Sequence, residues 1–289
     1  MKKTYVYAGV SILLWSTLAT VSKLLLSRVG SFVVLTFSAG FAALALLAVN
    51  LINGKIKRLS HYRAKDYLIT LLISLPGTFL YYVFLYLGTA KMAASQAFII
   101  NYLWPVMSVV FACVILKERL TGRKCIALTL SFIGVLTVAG GELLSFNKTA
   151  LFGALLCILA AVSYGAFTAL TKRYSYDEQL SMMLSFFATF VLSVLINIII
   201  GEKFAVGLPE ILGFAWSGVA VMAIATVTWA LALRTGGTAK ISNLAYITPF
   251  LSLVWTYFIL HEPIDPWSIA GLALIIIGIF IQIKNAEKQ

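Results

Sequence analysis

The chain has 289 residues, of which 61% are hydrophobic and only 11% are charged, and its formal net charge at pH 7 is +12. With a mean hydropathy of +0.99, the sequence is too apolar for a water-soluble domain, in which the apolar share is close to half. The composition therefore predicts an integral membrane protein, and it excludes a soluble catalytic or nucleic-acid-binding domain because apolar runs take up most of the length.

These apolar runs are long enough for membrane-spanning helices, which need about 20 apolar residues each. Only helices and closed barrels satisfy backbone polar groups in lipid, and the runs exceed the roughly ten-residue strands of a barrel. The sequence therefore predicts an all-α integral membrane protein with ten transmembrane helices. The expected segments are 5–26, 32–52, 67–87, 93–116, 125–140, 150–171, 180–200, 211–233, 241–260 and 267–283.

Basic residues are distributed unequally between the two sides of such a ten-helix protein. Of the 22 Lys and Arg residues, 17 fall at the termini and in the even-numbered loops, four fall in the odd-numbered loops, and Lys23 lies inside the first segment. Because cytoplasmic loops are enriched in Lys and Arg, both termini are predicted to be cytoplasmic. The positive net charge then reflects topology and requires no nucleic-acid partner.

The two halves of the sequence resemble each other, which predicts two five-helix repeats at residues 1–143 and 144–289. Since five is odd, the second repeat must enter the membrane from the opposite side. Inverted repeats recur in secondary transporters, with the substrate site near the bilayer midplane at the repeat interface. An offset of 144 residues pairs identical residues without a gap: Tyr102 with Tyr246, Pro105 with Pro249, Ser108 with Ser252, Glu118 with Glu262, and Gly134 with Gly278.

Ionisable residues are scarce inside the segments. The ten carboxylates all fall in loops or near helix ends, whereas coupled carriers often hold an ionisable group in the span, so the pattern favours a facilitator or an exchanger. Lys23, near one end of the first segment, either snorkels to the interface or contacts a substrate carboxylate. No nucleophilic or acid–base constellation can be drawn, so no enzymatic activity is expected.

Aromatic and small polar side chains share helical faces within the segments. Trp104, near the centre of the fourth segment, is too deep for an interfacial anchor. A buried indole or phenol needs a hydrogen-bond partner, so such side chains either face a hydrated cavity or pack against other helices. The candidate substrate-binding residues are Trp15, Tyr82, Asn101, Tyr102, Trp104, Trp229, Ser242, Asn243 and Tyr246.

Two prolines and one stripe of small residues predict local helix geometry. Pro105 and Pro249, near the centres of the fourth and ninth segments, should kink both helices because proline has no N–H. Such paired interruptions point to a transport pathway, and the alternative is a kink that serves packing only. In the sixth segment, small residues recur every four positions and predict close helix packing: Gly153, Cys157, Ala161, Gly165 and Ala169.

These motifs resemble the EamA branch of the drug/metabolite transporter superfamily, and in particular its aromatic amino-acid exporters. In each half a proline is followed thirteen residues later by a glutamate, and the runs Leu14-Trp15-Ser16-Thr17 and Asn101-Tyr102-Leu103-Trp104-Pro105 are more specific marks. The resemblance implies two inverted five-helix repeats and a central cavity. The residues that match the lining of that cavity are Trp15, Tyr102, Trp104 and Tyr164.

The residues and the resemblance together predict a monomeric multi-pass transporter of the bacterial cytoplasmic (inner) membrane. It is expected to export small amphipathic metabolites, above all aromatic or other hydrophobic amino acids, by alternating access. Its expected partners are a small-molecule substrate and the lipid bilayer, with no cofactor, metal or nucleic acid. The alternatives are a polyspecific exporter of organic cations, for which the sequence offers aromatic rings but no buried carboxylate, and a membrane scaffold or channel.

Overall fold

The computed structural model of the chain describes residues 2–138, 147–174, 177–202, 205–236 and 243–283. Within these ranges the chain is helical and contains no strand. The main helices lie where the apolar runs predict them. They are α1 (Lys3–Leu26), α2 (Ser31–Ile52), α3 (Ala64–Thr89), α4 (Ala94–Ile115), α5 (Gly122–Val138), α6 (Lys148–Arg173), α7 (Glu178–Ile200), α8 (Leu208–Ala232), α9 (Thr248–Leu260) and α10 (Pro266–Ile283).

Seven of these helices, α1 to α4 and α6 to α8, are long and apolar enough to cross a membrane. Helices α5, α9 and α10 are apolar but shorter, although a short 3₁₀ helix, Asn243–Ile247, directly precedes α9. The prediction of a helical, multi-pass membrane protein is therefore confirmed. The figure of ten crossings stays a prediction.

Polar side chains and left-handed residues end several helices, where backbone groups would otherwise lack partners. At the start of α7, the Asp177 carboxylate accepts hydrogen bonds from the N–H groups of Gln179 and Leu180 at 3.2 and 3.4 Å. Gly54 follows α2 with a φ of +67°, and Gly201 follows α7 with a φ of +65°. Glycine adopts this conformation without the strain that a Cβ would introduce.

Helical hydrogen bonding is interrupted beside both prolines. In α4 the first stretch ends at Asn101 and the second begins at Trp104, with Pro105 in its first turn. Pro249 occupies the same position at the start of α9. Proline fits the first turn of a helix because the N–H that it lacks has no intrahelical partner there. Helices α3 and α8 contain π-helical turns, at Pro76–Leu80 and Trp216–Ile224.

The helices pack in pairs that cross between the two halves of the chain. Helix α1 packs on α8 and α9, and α6 packs on α3 and α4. Helix α2 packs along α7, and α5 packs along α10. The two halves therefore pack against each other, and the space between them is bounded by α1, α3, α4 and α6 to α9.

Small residues allow the closest of these contacts, as the stripe in α6 predicts. A Cβ built on Gly165 would lie 2.5 Å from the Cβ of Met107 in α4, and one built on Gly88 in α3 would lie 2.6 Å from the Sγ of Cys157. Both distances are shorter than atoms can approach, so only glycine fits. Close packing of this kind holds helices together where lipid removes the hydrophobic driving force.

A polar contact outside the apolar layer joins the two halves. The Asp177 carboxylate lies 2.9 Å from Lys55 Nζ and 2.8 Å from an Arg58 guanidinium nitrogen. Burial acts to raise the pKa of Asp177, but the hydrogen bond and charge of Lys55, together with the Leu180 N–H and Arg58, hold this pKa below its usual value.

We expect replacement of Asp177 to destabilise the fold. Asp177→Ala removes both the helix cap and the ion pairs, which together contribute about 1 to 2 kcal/mol, whereas Asp177→Asn keeps an acceptor for the cap. Because the folded pKa is lowered, the advantage of wild type over Asp177→Asn should be complete above about pH 4 and disappear as the pH falls through the folded value. Thermal unfolding of wild type and the purified variants at several pH values measures this difference in stability. Equal stability of wild type and Asp177→Asn at pH 7 would show that the ion pairs contribute nothing.

Candidate functional site

A cavity of about 170 Å³ lies between the two halves of the chain and is lined by α1, α3, α4 and α6 to α9. Seven of the ten side chains proposed from the sequence border it: Trp15, Tyr82, Asn101, Tyr102, Trp104, Tyr164 and Trp229. Ser242 lies outside the described residues, as do the side chains of Asn243 and Tyr246. The structure thus brings candidates from five helices to one place.

Trp15, Ser16 and Thr17 of α1 each contact a different tryptophan. Trp15 lies against Trp229 of α8, with ring centroids 5.2 Å apart and planes tilted by 57°. The next two hydroxyls accept hydrogen bonds from indole N–H groups, Ser16 from Trp255 and Thr17 from Trp216, each at 2.9 Å. These bonds fix the point at which α1 is interrupted, between Ser16 and Leu18, so that Trp15 faces the cavity.

The opposite wall is a cluster of aromatic rings from α3, α4 and α6. Trp104 meets Tyr164 edge to face, with centroids 5.1 Å apart and planes at 80°. Tyr81 packs on Tyr164 at 4.9 Å and on Tyr82 at 4.8 Å. Trp104 is ten residues from the start of α4, or about 15 Å at 1.5 Å per residue, which places the cluster near the middle of the helix. Tilted and edge-on pairs of this kind stabilise each other and leave ring faces for a further planar group.

Several buried polar atoms of the lining have no hydrogen-bond partner among the described residues. The Asn101 amide donates to the Tyr81 hydroxyl at 3.0 Å, but its carbonyl oxygen Oδ1 is unpaired. The hydroxyls of Thr248 and Ser252 in α9 are likewise buried and unpaired. Because an unpaired buried polar atom costs about 1 to 3 kcal/mol, these three atoms are suited to a polar ligand or to water.

One carboxylate borders the cavity. Glu178, the first residue of α7, lies in the lining with Tyr164 and Met182. The sequence correctly predicts that this carboxylate stands at a helix end. No buried carboxylate was expected among the lining, and Glu178 is exposed although it borders the cavity. The preference for a facilitator or an exchanger stays a prediction.

Lys23 and Glu262 close the end of the bundle away from Glu178. Lys23 Nζ donates to the carbonyl oxygens of Thr89, the last residue of α3, and of Met92 in the following loop, at 3.0 and 2.6 Å. The Glu262 carboxylate accepts from the N–H groups of Ala94 and Ser95, at 2.8 and 3.0 Å, at the start of α4. Lys23 does not border the cavity, so the contact with a substrate carboxylate gains no support, while its snorkelling stays a prediction. Its charge is taken up by helix-end carbonyls, which attract cations.

Other lining residues were not singled out by sequence reasoning, notably Phe98, Phe167, Met182 and Phe186. Apolar residues fill both the lipid-facing and the inward-facing sides of these helices, so no periodic signal distinguishes them. A second groove, of about 450 Å³, lies between α2 and α7 and is lined by apolar side chains such as Phe41, Leu44 and Phe187. It offers almost no polar surface that could orient a ligand, so the smaller central cavity is the candidate site.

Comparison with known proteins gives consistent matches over the whole length. Residues 2–140 and residues 151–283 each match the model of the EamA-like transporter family. The chain is 23% identical over 297 residues to an uncharacterized transporter of Clostridium kluyveri, with 100% of this chain and 95% of that protein covered. It is 26% identical over 265 residues to the uncharacterized transporter YcxC of Bacillus subtilis, with 88% and 83% covered.

A solved structure shares the fold. A protein crystal structure matches with a TM-score of 0.70 and 21% sequence identity, over 100% of this chain and 99% of that chain. At this level of identity the likeness concerns the fold alone.

Proposed function

This chain belongs to the EamA-like transporter family, and we propose that it exports small amphipathic metabolites, above all aromatic or other hydrophobic amino acids, by alternating access. The chain is a multi-pass membrane transporter; the substrate class, the direction and the mechanism are the proposal. The observation that carries it is the central cavity, which combines aromatic walls with unpaired polar atoms. A volume of about 170 Å³ is below the roughly 300 to 1,000 Å³ of sites for drug-sized ligands and favours a small metabolite.

Alternating access is supported by a second set of contacts that relate the two halves. If α1 to α5 correspond to α6 to α10, the most extensive cross-half contacts have counterparts: α1 with α8 corresponds to α6 with α3, and α1 with α9 corresponds to α6 with α4. Helix pairs α2 with α7 and α5 with α10 correspond to themselves. This is the pattern expected of ten helices in two inverted repeats, residues 1–143 and 144–289, and it agrees with the two matches to one family model.

The ends of α4 and α9 support the same correspondence. Lys117 and His261 are the described non-glycine residues with positive φ, +58° and +55°, and they are 144 positions apart. The N–H of the following residue, Glu118 or Glu262, bonds in each case to a carbonyl six residues back at 3.3 Å. Two helices thus end with the same hydrogen-bond pattern, and transporters with inverted repeats alternate by rocking one repeat against the other.

The proposed location is the bacterial cytoplasmic membrane with both termini inside. The observed ion pairs are compatible with this location. Lys55 and Arg58 bind Asp177 on the side assigned to the cytoplasm. Arg28 binds Glu210 at 2.8 Å on the opposite side.

Cysteine labelling tests this orientation. After replacement of Cys113, Cys125 and Cys157 by serine or alanine, a cysteine at Ile56 or Thr121 should be protected from an impermeant thiol reagent in intact cells, whereas one at Asn147 should be labelled. The physical reason is the excess of basic residues on the side of the termini. Permeabilised cells provide the control, since all three positions should then react. Labelling at position 56 in intact cells would reverse the orientation.

An exporter of organic cations is the second candidate, and Glu178 at the cavity is the observation in its favour. Growth protection separates the two. Cells that express the protein should tolerate a toxic aromatic amino-acid analogue such as 4-fluorophenylalanine better than cells that express Trp104→Ala, with no gain against a cationic dye such as ethidium. Protection against the dye alone would favour the second candidate.

A further inference from the structure

We propose that Glu178 binds the ammonium group of the substrate, so that the cavity selects aromatic amines and amino acids over aromatic acids that lack an amine. This inference rests on the proposed transport function and narrows its substrate class. Glu178, the first residue of α7, thereby recognises the substrate at the end of the cavity that the start of α7 forms.

The charge balance of the lining is the first argument. Among the described residues that border the cavity, Glu178 alone carries a formal charge. The rest of the lining is aromatic, aliphatic, amide or hydroxyl. A ligand that enters therefore meets one negative charge, and an ammonium group is the complementary partner.

Glu178 also differs from the neighbouring carboxylate in its direct partners. The adjacent carboxylate, Asp177, accepts hydrogen bonds from Lys55 and Arg58. Glu178 makes no hydrogen bond or ion pair with any residue that the structure describes.

The aromatic walls supply the third argument. A cation that is held beside Glu178 also lies in a cavity lined by Tyr164 and Trp229, whose rings attract cations through their faces. The buried, unpaired hydroxyls of Thr248 and Ser252 can donate to the carboxylate at the other polar end of an amino acid, whereas the unpaired Asn101 Oδ1 can only accept. They border the same cavity as Glu178 and are suited to a ligand with more than one polar group.

Three ligands that share one ring test the proposal on the purified full-length protein: phenylalanine, 2-phenylethylamine and 3-phenylpropanoate. Isothermal titration calorimetry at pH 7 gives the dissociation constants. Wild type should bind both amines at least roughly tenfold more tightly than 3-phenylpropanoate, since a charge-assisted hydrogen bond contributes that much or more. Glu178→Gln should weaken binding of both amines by a similar factor and leave 3-phenylpropanoate nearly unchanged.

Glu202→Gln is the matched control. Glu202 follows the other end of the same helix, α7, and does not border the cavity, so its replacement should leave all three affinities unchanged. Glu178→Asp, which keeps the charge on a shorter side chain, should retain part of the preference for amines and covers the case in which the glutamine variant fails to fold.

The outcomes separate this inference from the proposed function. If folded Glu178→Gln binds all three ligands as wild type does, the role of Glu178 is wrong while the aromatic site stands. If wild type prefers 3-phenylpropanoate or does not distinguish the three ligands, the inference also fails. If wild type binds none of them, the proposed substrate class falls, and the assignment of Glu178 falls with it.

Discussion

Alanine at Trp104 should weaken substrate binding about fivefold or more without unfolding the protein. Trp104 forms one wall of the cavity and lies edge to face on Tyr164, so its loss removes ring stacking on the order of 1 kcal/mol from the bound state. Trp15→Ala should act in the same direction, because Trp15 pairs with Trp229 on the opposite wall. Titration of phenylalanine into the purified variants measures both effects.

The controls for this prediction use the same residue types. Trp104→Phe keeps a ring and should retain part of the affinity. Trp267→Ala removes an indole that is about half exposed (51%) and does not border the cavity, so it should bind as wild type does. If folded Trp104→Ala and Trp15→Ala bind with unchanged affinity, the cavity is not the substrate site, even though the fold is right.

Alanine at Gly271 should destabilise the contact between α5 and α10 by about 1 to 3 kcal/mol, the usual cost of overpacking. A Cβ at this position would lie 2.4 Å from Val138 Cγ2 and 2.5 Å from the carbonyl oxygen of Gly134. The two helices would have to separate, because a backbone oxygen cannot move aside as a flexible side chain can. Thermal unfolding of the purified variant measures the loss.

Gly9→Ala is the matched control for Gly271→Ala. Gly9 is also inside a helix, but a Cβ there meets nothing within 4 Å. Alanine has a higher helix propensity than glycine, so Gly9→Ala should leave the midpoint temperature of thermal unfolding unchanged or raise it slightly. If the two variants unfold at the same temperature, the close approach of α5 and α10 is not a source of stability.

The positions of the helices could be predicted from the sequence because lipid imposes one rule on every segment: its backbone must satisfy its own hydrogen bonds. The site of Trp104 followed from the same reasoning. An indole in the middle of a 22-residue span is too deep to reach the interface and must face protein or a cavity. Which partners it meets, here Tyr164 of α6, depends on helix packing and could not be derived.

The sequence did not predict that Glu178 borders the cavity. Along the chain Glu178 stands at a helix end, which suggests a position outside the membrane core. The cavity, however, extends to that end of α7. Lys23 presents the converse case. Lys23 lies inside a span, but its ammonium group donates hydrogen bonds to carbonyl oxygens at and after the end of α3. Both outcomes depend on neighbours distant in sequence, which local patterns do not contain.

Solute counterflow in proteoliposomes tests the central claim most directly. Vesicles that contain the purified protein are loaded with excess unlabelled phenylalanine and placed in a trace of labelled phenylalanine, with no pH or Na⁺ gradient. An alternating-access carrier should accumulate label transiently above its equilibrium level, the overshoot should saturate with concentration, and Trp104→Ala should shift that saturation to higher concentration. Label that enters at a rate strictly proportional to its concentration without an overshoot, or no faster than into protein-free vesicles, would contradict the account.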